Sequence, residues 1–293
     1  SAIFDPPVIK EPRSIFSLDV IIPAYKADFL EATIRSVMSA NCPFERRIFI
    51  SDNCPDNTVK NLCKNFPVIY SRSEYKGVSN FYYGISLGSS SLIHILCDDD
   101  LVYNDFYVVM CERYLKYGRT SHQRQFWAGF AGSHVIDESG RILRTRSIDN
   151  LDVIGWELVQ DCIRQSLNPF GELSGLVFER KWLENVGIEN IFSTMPGRQW
   201  TAPDFQIIMN LSVSAHLDYF SEALFAWRYG HSTQDTAKKD SKPYHVMLWA
   251  LLNDWRGGAD FSNDLFDLLP ANFRRYHQDD ISHLAQLMRG DPD

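Results

Sequence analysis

Three consecutive aspartates, Asp98-Asp99-Asp100, close the hydrophobic run Ser91-Leu92-Ile93-His94-Ile95-Leu96-Cys97. Three adjacent carboxylates repel one another, so they must share protons or hold a cation. A hard divalent ion such as Mg²⁺ takes oxygen ligands and usually binds through one or two carboxylates plus substrate phosphates. The run before the triplet is rich in Ile and Leu and reads as a buried strand of a parallel sheet. Ligands in such sheets bind outside the carboxyl ends of the strands. The strand end therefore points to a metal–phosphate site. The alternative for the triplet is a solvated acidic turn.

A site of this kind needs a frame, and the first half of the chain supplies one by alternating strand and helix patterns. Leu18 to Ile22 is a short apolar run stopped by Pro23, and Leu30, Ile34, Val37 and Met38 then recur at helical spacing. Arg47 to Ile50 and Val68 to Tyr70 read as strands, with the helical stripe Val59, Leu62, Cys63 and Phe66 between them. A helix from Val78 to Leu87 precedes the strand that ends in the aspartates, and Phe106, Val109, Met110 and Tyr117 mark the next helix. Such alternation argues for βαβ units and a parallel sheet with helices on both faces. Beyond it, Phe126 to Ile142 reads as strands around the turn Asp137-Glu138-Ser139-Gly140. Trp156 to Leu167 reads as a helix, Leu173 to Phe178 as a strand, Asp204 as the start of another helix, and Leu217 to Arg228 as a strand. Residues 233–293 read as a small helical extension, with stripes at Leu248, Leu251, Leu252 and Trp255 and at Ile281, Leu284, Ala285 and Met288.

Composition limits the function classes. The 293 residues suit one large domain plus extensions, and 45% hydrophobic content suits a full core. A net charge of −8 argues against an electrostatic nucleic-acid binder. The six cysteines (Cys42, Cys54, Cys63, Cys97, Cys111 and Cys162) form no C-x-x-C pair, so neither a zinc site nor a redox motif is signalled, and a reducing cytosol fits. No signal peptide and no run of about 18 apolar residues is present. The chain begins with Ser, as a processed or excised piece of a longer protein would.

Four segments, in order and at matching spacing, resemble the GT-A nucleotide-sugar glycosyltransferases, family 2 in particular. The first is Val20-Ile21-Ile22-Pro23-Ala24-Tyr25-Lys26. The resemblance implies that Pro23, Ala24 and Tyr25 contact the donor nucleotide. The second is Ile48-Phe49-Ile50-Ser51-Asp52-Asn53-Cys54-Pro55-Asp56-Asn57-Thr58. In the family, two acids follow this strand and the first usually accepts the N3–H of uracil. Ser51 stands at that position here, which leaves the base open, and Asp52 after it falls on the donor or orients the loop. The third is Glu74-Tyr75-Lys76-Gly77-Val78-Ser79-Asn80, which looks like the Gly-to-Asn segment leading into the aspartates. Lys76, Gly77 and Asn80 are placed by it on the donor, with Lys76 or Arg72 offsetting pyrophosphate charge. The fourth is the triplet, which looks like the DxD element with Cys97 in place of a frequent acid. It implies Asp99 as the direct metal ligand, Asp98 on the ribose or the metal shell, and Asp100 as a second ligand or a structural acid.

Farther on, Gly175 and Val177-Phe178 resemble the acceptor-side segment, and Pro203-Asp204 sits where the family carries Glu-Asp at a helix start. There the Asp is the general base; a helix N-cap is the structural alternative for Asp204. Arg228-Tyr229-Gly230-His231 resembles the closing Arg-x-x-His pattern, which implies His231 as a further metal ligand or a contact to the diphosphate, and Trp200 offers a face for stacking on a sugar. The resemblance implies an α/β GT-A fold, a mostly parallel Rossmann-like sheet flanked by helices, over residues 17–232. Residues 1–16 precede it as an N-terminal extension. It further implies an inverting, hexosyltransferase-like enzyme assisted by Mn²⁺ or Mg²⁺. Such an enzyme moves a sugar from a nucleoside-diphosphate sugar, a UDP-sugar first among them, to a hydroxyl of a saccharide or lipid-linked acceptor. Surface polysaccharide or glycan synthesis in the cytoplasm is the expected setting, peripheral to the inner membrane face if the acceptor is lipid-linked.

Rival readings are separable. A sugar-1-phosphate nucleotidyltransferase needs a Gly-rich, Arg-containing loop after the first strand, where this chain has Pro23-Ala24-Tyr25-Lys26. A dinucleotide dehydrogenase needs G-x-G-x-x-G there. A catalytically degenerate domain of the same fold, acting as a scaffold in polysaccharide assembly, is the non-enzyme alternative, and Ser51, Cys97 and Pro203 in place of frequent acids are what it rests on.

Overall fold

The computed structural model describes residues 16–117, 126–147, 172–192, 204, 207–208, 210–211 and 215–230. The expected helix from Trp156 to Leu167 and the C-terminal extension lie outside the described residues. One nine-stranded sheet organises the rest. Its first strands are β1 (Ser17–Ala24), β2 (Glu45–Asp52), β3 (Ile69–Arg72) and β4 (Leu92–Ile95). These run parallel in the order β3-β2-β1-β4, with α1 (Leu30–Ser39), α2 (Thr58–Cys63) and α3 (Val78–Leu87) as the crossovers.

Side chains that alternate along these strands feed two cores, one on each face. Leu18, Val20, Ile22 and Ala24 of β1 join Ile48 and Ile50 of β2 and Leu92 of β4 against Leu30, Ile34 and Val37 of α1. Ile21, Phe49, Ile93 and Ile95 point the other way and pack with Tyr82 and Ile85 of α3. All eight residues of β1 are buried, as a strand covered on both faces requires. Pro23 lies inside β1 rather than ending it. Its missing N–H would point to the β4 side, where pairing has already stopped at Ile21 and Ile95. At the other end of β1 the fully buried Asp19 carboxylate accepts hydrogen bonds from Arg47 Nη2 (2.7 Å), Arg180 Nη2 (2.9 Å) and Ser90 N (2.7 Å).

After β4 the sheet changes direction. The remaining elements are β5 (Leu101–Val102), α4 (Phe106–Tyr117), β6 (Phe126–Ile136), β7 (Ile142–Arg146), β8 (Leu176–Glu179), α5 (Lys181–Val186) and β9 (Ala215–Arg228). β8 pairs antiparallel with β4 and β6, β9 runs parallel to β6, and β5 caps β9 antiparallel. The expected strand from Leu173 opens as a 3₁₀ turn, Leu173–Gly175, before β8 begins. The β6–β9 register shifts on both sides of Gly132, where a Cβ would lie 2.8 Å from the Ser221 carbonyl oxygen. The extra β9 residues at this bulge bend the strand, and its far end reaches β5, Leu101 opposite Ala226.

Candidate active site

The carboxyl ends of β1 and β2 lie side by side, Pro23 opposite Ser51 and Ala24 opposite Asp52, with Ile21 opposite Ile95 on the β4 side. Leu96 N donates to the Ile21 carbonyl at 2.9 Å and Asp100 N to the Cys97 carbonyl at 3.3 Å, which closes a turn around the triplet. β5 follows at once, so β4 is shorter than its apolar run.

The three carboxylates are directed differently. Asp98 is half-buried, and its Oδ2 accepts from Tyr25 N (2.8 Å) and Lys26 N (3.1 Å), which fixes the loop after β1. Burial, with the Asp99 charge behind it, pushes the Asp98 carboxyl up to about 6 against those two N–H groups. Asp100 is fully buried; it accepts from Ser174 Oγ (2.5 Å) and Arg228 N (3.0 Å), and burial holds its carboxyl well above the usual range. Asp99 is half-buried between them, and its charge raises the carboxyls of Asp98, Asp100 and Glu172. Arg228 locks the turn: its Nε donates to the Asp99 carbonyl (3.0 Å) and its Nη1 to the carbonyls of Asp137 (2.8 Å) and Glu138 (2.9 Å).

Toward β2, Asp52 is fully buried. It accepts from Cys54 N (2.8 Å), Tyr70 Oη (2.7 Å) and Arg72 Nη1 (2.9 Å), so it orients the loop after β2 and ties up Arg72. Ser51 is also fully buried, with its hydroxyl donating to the Asn80 side chain, while Asn80 Nδ2 returns a hydrogen bond to the Ser51 carbonyl (2.9 Å). These residues build a buried wall at the carboxyl end of β2. Exposed groups there include Tyr25, at 44% of its surface, Arg72, Lys76 and Gly77; the φ of +55° at Gly77 suits only glycine comfortably and starts α3.

Asp204 lies within electrostatic reach of Glu172 and Arg146. It is half-buried and helical, and the helical residues Ile207, Ile208 and Leu211, at i+3, i+4 and i+7, pack into the second core with Leu176 and Phe178. That stripe anchors its helix to β8. Beside it stands Glu172, just before the 3₁₀ turn. Its carboxyl is raised to about 8, by burial first, then by Asp204 and, more weakly, Asp99, against the pull of Arg146. The turn is pinned under the triplet: Ser174 Oγ accepts from Cys97 N (3.0 Å), and the Ser174 carbonyl accepts from His94 Nε2 (2.9 Å).

The structure thus gathers Pro23, Ala24, Tyr25, Ser51, Asp52, Asn80, Asp98, Asp99 and Asp100 at the strand ends, places Lys76 and Gly77 at the exposed start of α3, and brings Asp204 into electrostatic reach of Glu172. His231 and Trp200 lie outside the described residues. Glu172, Arg146 and Ser174 carry no signal of their own in the sequence. Glu172 stands three residues before Gly175 of the acceptor-side segment, the one pointer to it.

The donor chemistry fits Mn²⁺ or Mg²⁺. Asp99 offers hard carboxylate oxygens at the end of β4, and such an ion needs only one or two protein carboxylates when phosphates complete its shell. Among the described residues no three His, Cys, Asp or Glu side chains form a preassembled cage.

Solved structures share this frame. S. aureus TarS residues 1–349 in complex with UDP-GlcNAc matches with a TM-score of 0.61 at 11% identity, over 89% of this chain and 73% of that one. The UDP complex of the same piece matches at 0.58 and 12% identity, over 89% and 72%. The fold is GT-A. In the longer S. aureus TarS structure the GT-A likeness, with a TM-score of 0.55 at 11% identity, takes in 92% of this chain and 52% of that one. No protein-family model and no curated protein sequence matches the chain.

Proposed function

We propose that the protein is an inverting glycosyltransferase. It moves a sugar from a UDP-sugar to a hydroxyl of a saccharide or lipid-linked acceptor. The observation that carries this reading is the carboxylate triplet at the carboxyl end of β4 in a GT-A sheet, faced by Asp204 and Glu172. The UDP-GlcNAc and UDP held by the S. aureus TarS structures support a nucleotide-sugar donor in the same frame.

The residues divide the work. Asp98 holds the Tyr25–Lys26 backbone, so the loop over the nucleotide is set before the donor arrives. Asp99 would hold the Mn²⁺ or Mg²⁺, and the Lewis-acid chemistry supplied there would offset charge on the leaving diphosphate. Asp100 and Arg228 keep the turn that presents Asp99 from relaxing. Asp204 takes the proton of the acceptor hydroxyl while that oxygen bonds to the anomeric carbon from the face opposite the diphosphate. The old carbon–oxygen bond leaves with its electron pair on the nucleoside diphosphate, and the configuration inverts.

A positioned general base contributes about 10²–10⁴-fold. Asp204→Asn should therefore lower turnover of UDP-GlcNAc, read as UDP release in the presence of Mn²⁺ and a saccharide, by about 10²–10⁴-fold with UDP affinity kept. Full activity in that variant would remove the base assignment.

A further inference from the structure

Folding brings together two cysteines that no spacing in the sequence announces. Cys42 lies in the connection between α1 and β2, Cys111 lies on α4, and both are free thiols. Three contacts lay that connection along the helix. Asn41 N donates to the Asn104 carbonyl at 2.9 Å, just before α4 begins. The Arg46 guanidinium sits over the Tyr107 ring, 5.2 Å from its centroid, and the Phe44 ring meets Tyr114 edge-on at 6.4 Å. Cys111 follows Tyr107 at i+4 and precedes Tyr114 at i+3, so the three share one face of α4. Cys42 meets that face at Cys111, and the two sulfurs share a hydrogen bond. Cys42 is half-buried, whereas Cys111 behind it is enclosed.

The surroundings make the two thiols unequal. The hydrogen bond from Cys111 first, then the Phe44 backbone and the Arg46 charge, lower the Cys42 pKa to about 7 against its burial. Arg46 is held in place, its Nη1 donating to the Ala40 carbonyl (2.9 Å) and its Nη2 to the Met38 carbonyl (3.3 Å). The bond to Cys42, burial and the nearby Cys42 and Glu112 charges raise the Cys111 thiol, so it keeps its proton. A cysteine that only packs as a small hydrophobe behaves otherwise: burial and the Asp52 charge push the Cys63 thiol up to about 11. A partly exposed thiolate beside a cation, with a second thiol against it, is the arrangement of an attacking and a resolving cysteine.

We propose that Cys42 and Cys111 form a peroxide-sensitive dithiol site that closes to a disulfide. The Cys42 thiolate attacks one peroxide oxygen, and the O–O bond breaks with its electron pair leaving on the other oxygen as hydroxide, which takes a proton to become water. Cys42 then carries a sulfenic acid. The Cys111 sulfur bonds to the Cys42 sulfur, and hydroxide leaves and takes the Cys111 proton as a second water. One peroxide thus removes two electrons from two thiols and yields one disulfide and two waters. Cys42 lies in neither helix nor strand, so its sulfur can approach Cys111 without unwinding α4. The site sits before the amino end of β2, away from the carboxyl ends that carry the triplet, and does not depend on the glycosyl-transfer reading.

The test uses the full chain, reduced and then freed of reductant. It is treated with a stoichiometric amount of hydrogen peroxide, its remaining thiols are blocked with N-ethylmaleimide, and the unreduced digest is read by mass spectrometry, with fragment ions separating Cys111 from Cys97. The expected result is a linked pair of peptides joined at Cys42 and Cys111, lighter by two hydrogens than their sum and released by dithiothreitol. In Cys111→Ser the sulfenic acid should stay on Cys42, where dimedone traps it. The proposal is overturned if Cys42 and Cys111 are both found blocked by N-ethylmaleimide after peroxide, if Cys42 is linked to another cysteine, or if Cys42 is carried to sulfinic acid while Cys111 stays a thiol. These outcomes are read on the unaltered protein, so they hold whether or not the variant folds.

Discussion

The His94 ring is enclosed beneath the triplet, between the Tyr107 hydroxyl (3.0 Å from Nδ1) and the Ser174 carbonyl (2.9 Å from Nε2). A carbonyl only accepts, so Nε2 carries the proton and Nδ1 accepts from Tyr107. Burial lowers the His94 pKa to about 4, against the Ser174 carbonyl, which favours the charged ring. In the unfolded chain the ring titrates near about 6.5, so between about 6.5 and 4 the unfolded state binds the extra proton and stability falls as pH falls. The loss amounts to about 3 kcal/mol across that window. Chemical denaturation at pH 7 and pH 4.5 should show the unaltered protein losing about 2–3 kcal/mol more than His94→Gln. Parallel losses in the two proteins would contradict the buried neutral ring. The same residue shows how a functional turn is held. His94 fixes Ser174, and Ser174 fixes Asp100 and Cys97 on either side of Asp98 and Asp99.

Among the elements, β9 depends on the bulge at Gly132. Its bend joins β5 to the sheet and sets Arg228 beside the triplet. Gly132→Ala puts a Cβ 2.8 Å from the Ser221 carbonyl oxygen, and the backbone must shift to admit it. Urea denaturation should show a loss of about 1–3 kcal/mol. An unchanged midpoint would mean that the bulge adjusts freely. The parallel half of the sheet was legible in the sequence because each of its strands is a dense apolar run and each crossover helix has a clear stripe; the expected Val78–Leu87 helix matches α3 end to end. The antiparallel half was less so. β5 is two residues long and has no pattern to read, and the pairing of β8 with β4 joins segments far apart in sequence. Within the site, the triplet announced itself by charge repulsion on an apolar strand. Glu172 did not, because a single acid gains its meaning only when folding sets Asp204, Asp99 and Arg146 around it. Ser51 is expected on the donor and Asp52 on the donor or as an orienter of the loop; both side chains are buried and bonded within the protein, with Asp52 holding the loop after β2.

For the whole molecule, the proposed donor is anionic and the protein itself carries a net charge of −8. Its carboxylates add to the difficulty, since burial raises the carboxyls of Asp98, Asp100 and Glu172, the Asp99 charge adds to all three, and Asp204 adds to that of Glu172. On the proposed reading a divalent cation offsets this repulsion, and nucleotide binding should then be conditional on it. The most direct measurement is calorimetric titration of UDP into the unaltered protein and into Asp99→Ala, each with Mn²⁺, with Mg²⁺ and with chelator. The account predicts binding that needs the ion and is lost, by about tenfold or more, in Asp99→Ala. UDP binding that is indifferent to both the ion and Asp99, or no nucleotide binding under any of these conditions, would contradict it.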